Sequence, residues 1–463
     1  AHGTTFPFDG IVELASSATP VDAYSNILER RISSLFGRVN YDLANKYFVT
    51  AGVRRDGSSV FGKDEKYGNF WNAGAGWRLG QESFMKDITW INELKLKGSY
   101  GTSGNASIGE YANLGLYGLG YNYGGVPGMT YSQLENPNLR WEQNAVMDLG
   151  LEAELFKKIR LEVTYFSRKS KDVLFAQPLS QLTGFTSITT NLASLKNSGI
   201  EAMVEASIFD KKDFRWVSSV NITHTKNVIE KMNVDSLLNG NQLWKKGMDR
   251  YQWFLREWAG VDPADGAPMW YMDEVVGGVL TGKKITTKNW NNATRYKNGS
   301  ALPKLFGGFN NTFTYKSFDL NILTFFSIGG KTYDNALAQQ MHGGTSPGNQ
   351  LATQAFDAWK KPGDVTDVPR FIPNNTDLGA SASTRFLFDG SYLRLKNVSL
   401  GYNVSPSLLS RFRISNARLF ISGENLATWA KHKGMDPEVS IGGTANNEIP
   451  IIKTISVGLN IGL

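Results

Sequence analysis

The feature that most restricts the fold of this sequence is an apolar/polar alternation that stops and restarts at turns of very unequal length. It is clearest from Leu35 to Asp56, LFGRVNYDLANKYFVTAGVRRD. Leu35, Gly37, Val39 and Tyr41 alternate with Phe36, Arg38, Asn40 and Asp42. After a tight Leu43-Ala44-Asn45 turn, Tyr47, Val49, Ala51 and Val53 alternate with Lys46, Phe48, Thr50 and Gly52. A period of two is that of a strand with one apolar and one mostly polar face. Tyr41 and Tyr47 flank the turn on the apolar face, as rings do in the aromatic girdle of a membrane barrel.

The pattern recurs. Trp71, Ala73, Ala75, Trp77 and Leu79 share a face, and a connection that admits a short helix, Gln81 to Asn92, leads to Leu94, Leu96, Gly98 and Tyr100. Ala145 to Ala153 and Leu161 to Tyr165 flank the turn Phe156-Lys157-Lys158; Ile200 to Ile208 and Trp216 to Ile222 flank Asp210 to Asp213. Phe309 to Tyr315 and Leu320 to Ile328 flank Lys316-Ser317, and Leu393 to Val404, Leu419 to Ile421 and Ile451 to Leu463 complete the series. Short turns alternate strictly with long loops, the longest being Lys226 to Lys304 and Gly329 to Gly390. Aromatics bracket the short turns at Tyr41/Tyr47, Phe209/Phe214 and Tyr315/Phe318. Soluble sandwiches have connections of about 4–6 residues, whereas outer-membrane barrels have short periplasmic turns and long extracellular loops. The fold class expected is all-β, a transmembrane antiparallel β-barrel contributing about thirteen strands.

Composition agrees. The chain has 463 residues with 48 Gly, 18 Tyr, 26 Phe and 12 Trp, and only 20% are charged, which suits sheet and loop. No run approaches the ~18 apolar residues of a spanning helix, and a polar lumen face would dilute the hydropathy of spanning strands. With no Cys, disulfide frameworks and thiolate metal sites are excluded. The net charge of +7 is spread without a dense basic run, so no nucleic-acid partner is expected. Ala1-His2-Gly3-Thr4 has neither a basic nor an apolar leader region, which for an exported protein predicts that more chain lies upstream.

Several segments resemble the SusC/RagA family of TonB-dependent outer-membrane transporters. They are GRVNYDLANKYFVTAGVRRDGSSVFG (Gly37 to Gly62), LKLKGSYGTSGN (Leu94 to Asn105), NPNLRWE (Asn136 to Glu142) and NLASLKNSGIE (Asn191 to Glu201). GVDPADGAPMW (Gly260 to Trp270), RFLFDGSYLRLKNVSLGYNV (Arg385 to Val404) and SGENLATWAKHKGMDPE (Ser422 to Glu438) extend the match in family order over nearly all the chain after residue 30. The resemblance implies a 22-stranded barrel in the Gram-negative outer membrane, holding an N-terminal plug with a TonB box. It implies a SusD-like surface lipoprotein as lid and energy delivered by the TonB complex. Substrates in the family are mostly oligosaccharides or oligopeptides, and no chemistry is done on them. Against this pattern the plug, TonB box and early strands are missing here. Residues 1–30 are therefore expected in an extracellular loop and residues 31–463 in the C-terminal part of the barrel, embedded in lipid and lipopolysaccharide. The first and last strands should pair with an N-terminal half supplied from outside this sequence, since open edges in hydrocarbon leave backbone groups unsatisfied. Alternatives are a siderophore or cobalamin receptor of the same superfamily, or a structural surface barrel or adhesin.

Catalytic and cofactor motifs fare poorly. Gly344 to Gly348 (GTSPG) fits a nucleophile elbow in letters but sits in a loop, without the required strand and helix. Gly277 to Lys284 (GGVLTGKK) lacks the Ser/Thr that holds magnesium in a phosphate-binding loop. His2, His224, His342 and His432 have no ligand-like spacing, and Asp262 to Gly266 lacks the ladder of a calcium loop. No enzyme activity, cofactor or metal is expected. The most informative stretch holds Trp244, Tyr251, Trp253, Phe254, Trp258, Trp270, Tyr271 and Trp290 in a loop expected outside the cell. Such density marks either a loop core, a lid-docking surface or a substrate-stacking surface. Arg54, Arg55 and Asp56, at the outer end of a strand, read as a salt-bridged barrel rim, with substrate contacts as the alternative.

Overall fold

The computed structural model describes residues 28–462 apart from 125, 347 and 411–413, together with two short strands at His2–Thr4 and Thr19–Asp22. The segment expected to be an extracellular loop, residues 1–30, lies mostly outside the described residues. Thirteen strands form one sheet in chain order, each antiparallel to its neighbour. They are β1 Ile32–Leu43, β2 Tyr47–Ser58, β3 Tyr67–Arg78, β4 Ile91–Asn105 and β5 Glu142–Leu155. There follow β6 Ile159–Pro178, β7 Ser187–Asp210, β8 Phe214–Met232 and β9 Leu305–Tyr315. The last four are β10 Phe318–Ile328, β11 Tyr392–Asn403, β12 Asn416–Ala430 and β13 Thr454–Gly462. β1 and β13 are the two edges and do not pair with each other; every residue of β1 is exposed.

Register shows why the alternation specifies this sheet. Leu96, Leu151, Val163, Ala202 and Ile222 are successive cross-strand partners from β4 to β8. One residue along, Lys97, Gly150, Thr164, Glu201 and Thr223 form the row on the other face. The polar face is concave: Asn40, Thr50, Lys97, Ser99, Asp148, Thr164 and Glu201 line a single hollow. Charges that lipid would exclude are paired across it, with Lys97 Nζ 2.6 Å from both Glu152 and Glu162. The convex face carries Val39, Val53, Leu151, Val163, Val204, Ile322, Leu400 and Val457, in mainly apolar rows; Ile322 is the exception, set between Val398 and Asn311, whose amide accepts from Trp216 Nε1. This is the lipid-out, polar-in arrangement of a membrane barrel.

At the short-turn end, Lys46 N donates to Leu43 O and Lys158 N to Leu155 O, both at 3.0 Å. Ala44 and Asn45, like Phe156 and Lys157, take positive φ near 55°. These are hairpin turns whose twist matches that of the strands. An aromatic belt surrounds them: Tyr47 stacks on Trp77, Trp90 on Phe156, Phe209 on Trp216, Trp216 on Phe313, and Phe318 lies against Tyr402.

Three expectations need correction. The helix over Gln81 to Asn92 is absent; two single 3-10 turns, Leu79–Gln81 and Ser83–Met85, carry the connection without a side-chain cap. The loop expected up to Ser198 is instead the outer half of β6 and β7, joined by a hairpin over residues 179–186, and β8 likewise runs on to Met232. Beyond the bilayer both faces of a strand meet water, so Ser167, Lys169, Lys196 and Ser198 break the apolar rhythm without breaking the strand.

The long loops fold into a cap. Residues 233–304 contain a four-stranded assembly, Ser236–Asn239, Gln242–Lys245, Gln252–Arg256 and Arg295–Ser300, and a three-stranded one, Trp258–Val261, Pro268–Val276 and Val279–Thr287. Lys331–Asp334 pairs with Leu387–Asp389 and with Thr444–Ala445, which ties the last two long loops together. Val60 and Phe61 pack with Leu139 and Trp141. Gly62 is required there, since a Cβ would sit 1.7 Å from the Pro137 carbonyl oxygen. Two of the family-like segments, SSVFG and NPNLRWE, thus meet in one small core.

This topology predicts sidedness. Protease or a membrane-impermeant label added to intact cells should reach residues 233–304 and 329–391, while 211–213 and 316–317 stay protected. The reverse pattern would overturn it.

Candidate functional site

Where the polar wall rises above the bilayer, it and the cap enclose a cavity of about 730 Å³. That size lies within the roughly 300–1,000 Å³ of small-ligand sites. The wall contributes Asn105, Glu142, Ser170, Asn197, Asn227, Phe306, Ser327 and Tyr392; the cap contributes Arg250, Tyr251, Thr332 and Glu438. Period-two geometry explains the wall set, because these residues continue the polar rows of β4 to β11 upward. Asn227 is nearly buried, donates to Asn197 Oδ1 at 2.6 Å and accepts from Arg250 N at 2.7 Å. On the far side Arg394, only 2% exposed, donates to Thr428 Oγ1, Asp436 and Glu438, with Glu438 at 2.8 Å. A buried charge is tolerable only with this degree of pairing.

The eight aromatic candidates separate sharply by burial. Trp244, Trp253 and Trp270 are fully buried in the core of the cap, the first of the three alternatives for this stretch. Trp244 packs on Phe175 with ring centroids 4.8 Å apart, rooting the cap on Val173, Leu192, Leu195 and Ile229 of the wall. Trp253 Nε1 donates to Lys331 O at 2.9 Å and its ring joins Leu255, Tyr333, Met341 and Phe386, so one indole holds two loops together. Burial pushes the Tyr333 hydroxyl up to about 12. Trp270 meets the half-buried Trp258 edge-on at 5.8 Å. Trp290 Nε1 donates to Ala382 O, and the Arg256 guanidinium lies 3.6 Å over its ring. Phe254 and Tyr271 are half-buried on the same assemblies. Only Tyr251 of the eight lines the cavity. Trp244 and Trp253 are buried by partners far along the chain, Phe175 for the one and Tyr333 and Phe386 for the other, so the cap is held by contacts between loops and wall.

The rim residues split between faces. Arg54 pairs with the buried Asp56 at 2.6 Å on the inner side, while Arg55 points to the other face and lies over the Tyr67 ring at 4.8 Å. At Asp262 to Gly266 a lysine stands where a cation would. Lys288 Nζ lies 2.7 Å from Asp262 and 2.9 Å from Asp265. Its hydrogen bonds hold both carboxyls below the usual range and the ammonium above its own. Gly277 and Gly278, both at positive φ, form the turn of a hairpin between Val276 and Val279 rather than a phosphate loop. Gly344 follows the helix Asn335–Gln340, not a strand.

Sequence reasoning missed Arg250, Glu142, Asn197, Asn227 and Tyr392. Parity is the signal for Glu142, Asn197 and Asn227, which fall on the polar register of their strands; Tyr392 reaches that face only through the bulge between Leu395 and Asn397, and Arg250 lies in the cap outside any barrel strand.

A family model described as TonB dependent receptor-like, beta-barrel, matches residues 4–426. Over 478 residues the chain is 32% identical to TonB-dependent receptor P3 of Formosa agariphila, covering 97% of this chain and 47% of that protein. It is 28% identical over 456 residues to TonB-dependent receptor SusC of Bacteroides thetaiotaomicron, covering 92% of this chain and 43% of that one. Among solved structures, the RagAB peptide transporter superposes with a TM-score of 0.85 at 28% identity, over 98% of this chain and 50% of that chain. The chain spans about half the length of the curated relatives it matches.

Proposed function

The chain belongs to the TonB-dependent receptor-like β-barrel family, and we propose that it serves as the C-terminal part of a SusC/RagA-type nutrient importer of the Gram-negative outer membrane. The cargo is an oligosaccharide or oligopeptide, and a SusD-like lipoprotein sits on the long-loop face as lid. The observation that carries this reading is the cavity of about 730 Å³ at the outer mouth, continuous with a polar wall and roofed by a folded cap. Likeness to RagAB and SusC supports the kind of cargo and the lid.

The open edges support the rest of the assembly. Backbone groups of β1 and β13 left unpaired in hydrocarbon would each cost several kcal/mol, so further strands close the barrel in the membrane. A plug, reached by TonB, completes it. Glu29 and Arg30 lie on the long-loop side: Glu29 N donates to Tyr111 Oη at 3.0 Å, and Arg30 donates to the carbonyls of Ala106 and Ile108.

Deleting the transporter should abolish uptake of labelled oligomers of one class and growth on them, and affinity purification of the intact protein should bring down a surface lipoprotein. Uptake of a ferric siderophore or cobalamin, with no oligomer transported, would sink the proposal.

A further inference from the structure

Among the described residues one cation lines the cavity. Arg250 lines it, and among the described residues no carboxylate is within ion-pair distance of its guanidinium. The neighbouring acids are otherwise engaged. Asp249 accepts from Tyr251 N at 2.7 Å and Ser300 Oγ at 3.0 Å, and Glu438 is shared by Arg394 and Lys396. Arg250 is nevertheless firmly held. Its backbone N–H is fixed by Asn227, and its guanidinium lies 4.7 Å over the buried Trp244 ring and 5.7 Å from that of Tyr251. Trp244 is itself locked into the wall through Phe175.

A cation held half-buried on a rigid aromatic shelf attracts an anion more strongly than a fully solvated one would. Guanidinium geometry matches a carboxylate in particular. We infer that Arg250 is the anion-recognising residue of this cavity and that the cargo presents a carboxylate to it; the inference rests on the import reading above. Glu142, in the same cavity and, among the described residues, paired with no cation, opposes a second negative charge and limits the cargo to one such group near Arg250.

The carboxylate could belong to a uronic acid or to a peptide C-terminus, and two probe pairs separate these sources. The intact transporter with its lid would be titrated calorimetrically with tetragalacturonate against its methyl ester, and with tetra-alanine against its amide. In one pair the acid should bind more tightly than the neutral form, and that pair identifies the source. R250Q should lose roughly 10-fold or more of the acid's affinity, the size of a charge-assisted hydrogen bond, while R250K, which keeps the charge but loses the planar fork and the stacking, should fall between R250Q and the parent. E142Q should leave acid binding intact or tighten it. Heat-modifiable migration in gels checks that each variant is folded. No preference for the acid in either pair, or a preference that survives in R250Q, overturns the inference. Import that continues with an unaltered preference in R250Q overturns it while leaving the import reading standing.

Discussion

Replacing Trp253 with alanine should unlock two extracellular loops at once while leaving the barrel intact. The indole is 1% exposed, packs with Leu255 from its own loop and with Tyr333, Met341 and Phe386 from the next, and donates to Lys331 O at 2.9 Å. Truncation removes the largest member of that cluster and leaves a cavity between segments that no covalent bond joins. A buried Trp→Ala change costs about 3–5 kcal/mol. The loss falls on the cap, because the barrel strands are held by their own backbone ladders. Limited proteolysis of intact cells reads the effect: cleavage within residues 233–304 and 329–391 should rise together, with the heat-modifiable gel mobility of the barrel unchanged. Trp258→Ala, at a half-buried ring, should expose the loops far less. Equal protease resistance of Trp253→Ala and the parent protein would refute the two-loop core.

The contrast between Trp253 and Trp258 also shows where the sequence stops being informative. Both lie in QWFLREWAG, and nothing local distinguishes the fully buried ring from the half-buried one. Burial there depends on Tyr333 and Phe386, which arrive from far along the chain. In the spanning strands the opposite holds. Lipid on one side and a polar lumen on the other force a period of two, so Leu149, Leu151 and Ala153 announce both strand and face. Above the bilayer that constraint lapses. Ser167 to Pro178 and Ser187 to Ser198 remain paired strands, yet water on both faces removes the contrast that alternation needs. The cavity was half legible for the same reason. Asn197 and Asn227 can be read from register, but Arg250 and Glu142 share one cavity only because the cap folds over the wall.

The last expected result concerns the lipid-facing register itself. Leu151 lies well inside β5, flanked by Leu96 on β4 and Val163 on β6, on the convex apolar face. An arginine there cannot reach water through the sheet, because the strands on both sides are continuously hydrogen-bonded. It must snorkel along the outer surface or draw water into the bilayer. Leu151→Arg should therefore cost about 2–4 kcal/mol if the position lies near the midplane. Ser99→Arg is the matched control. Ser99 is exposed on the concave face opposite Asp148, where a guanidinium meets water and a carboxylate, so the change should be within about 0.5 kcal/mol of neutral. Both variants would be scored by the fraction of protein migrating as folded barrel after stepwise heating in detergent or refolding into vesicles. Leu151→Arg should fall out of the folded fraction first. A one-residue error in register would exchange the two faces, and the two variants would then exchange their behaviour.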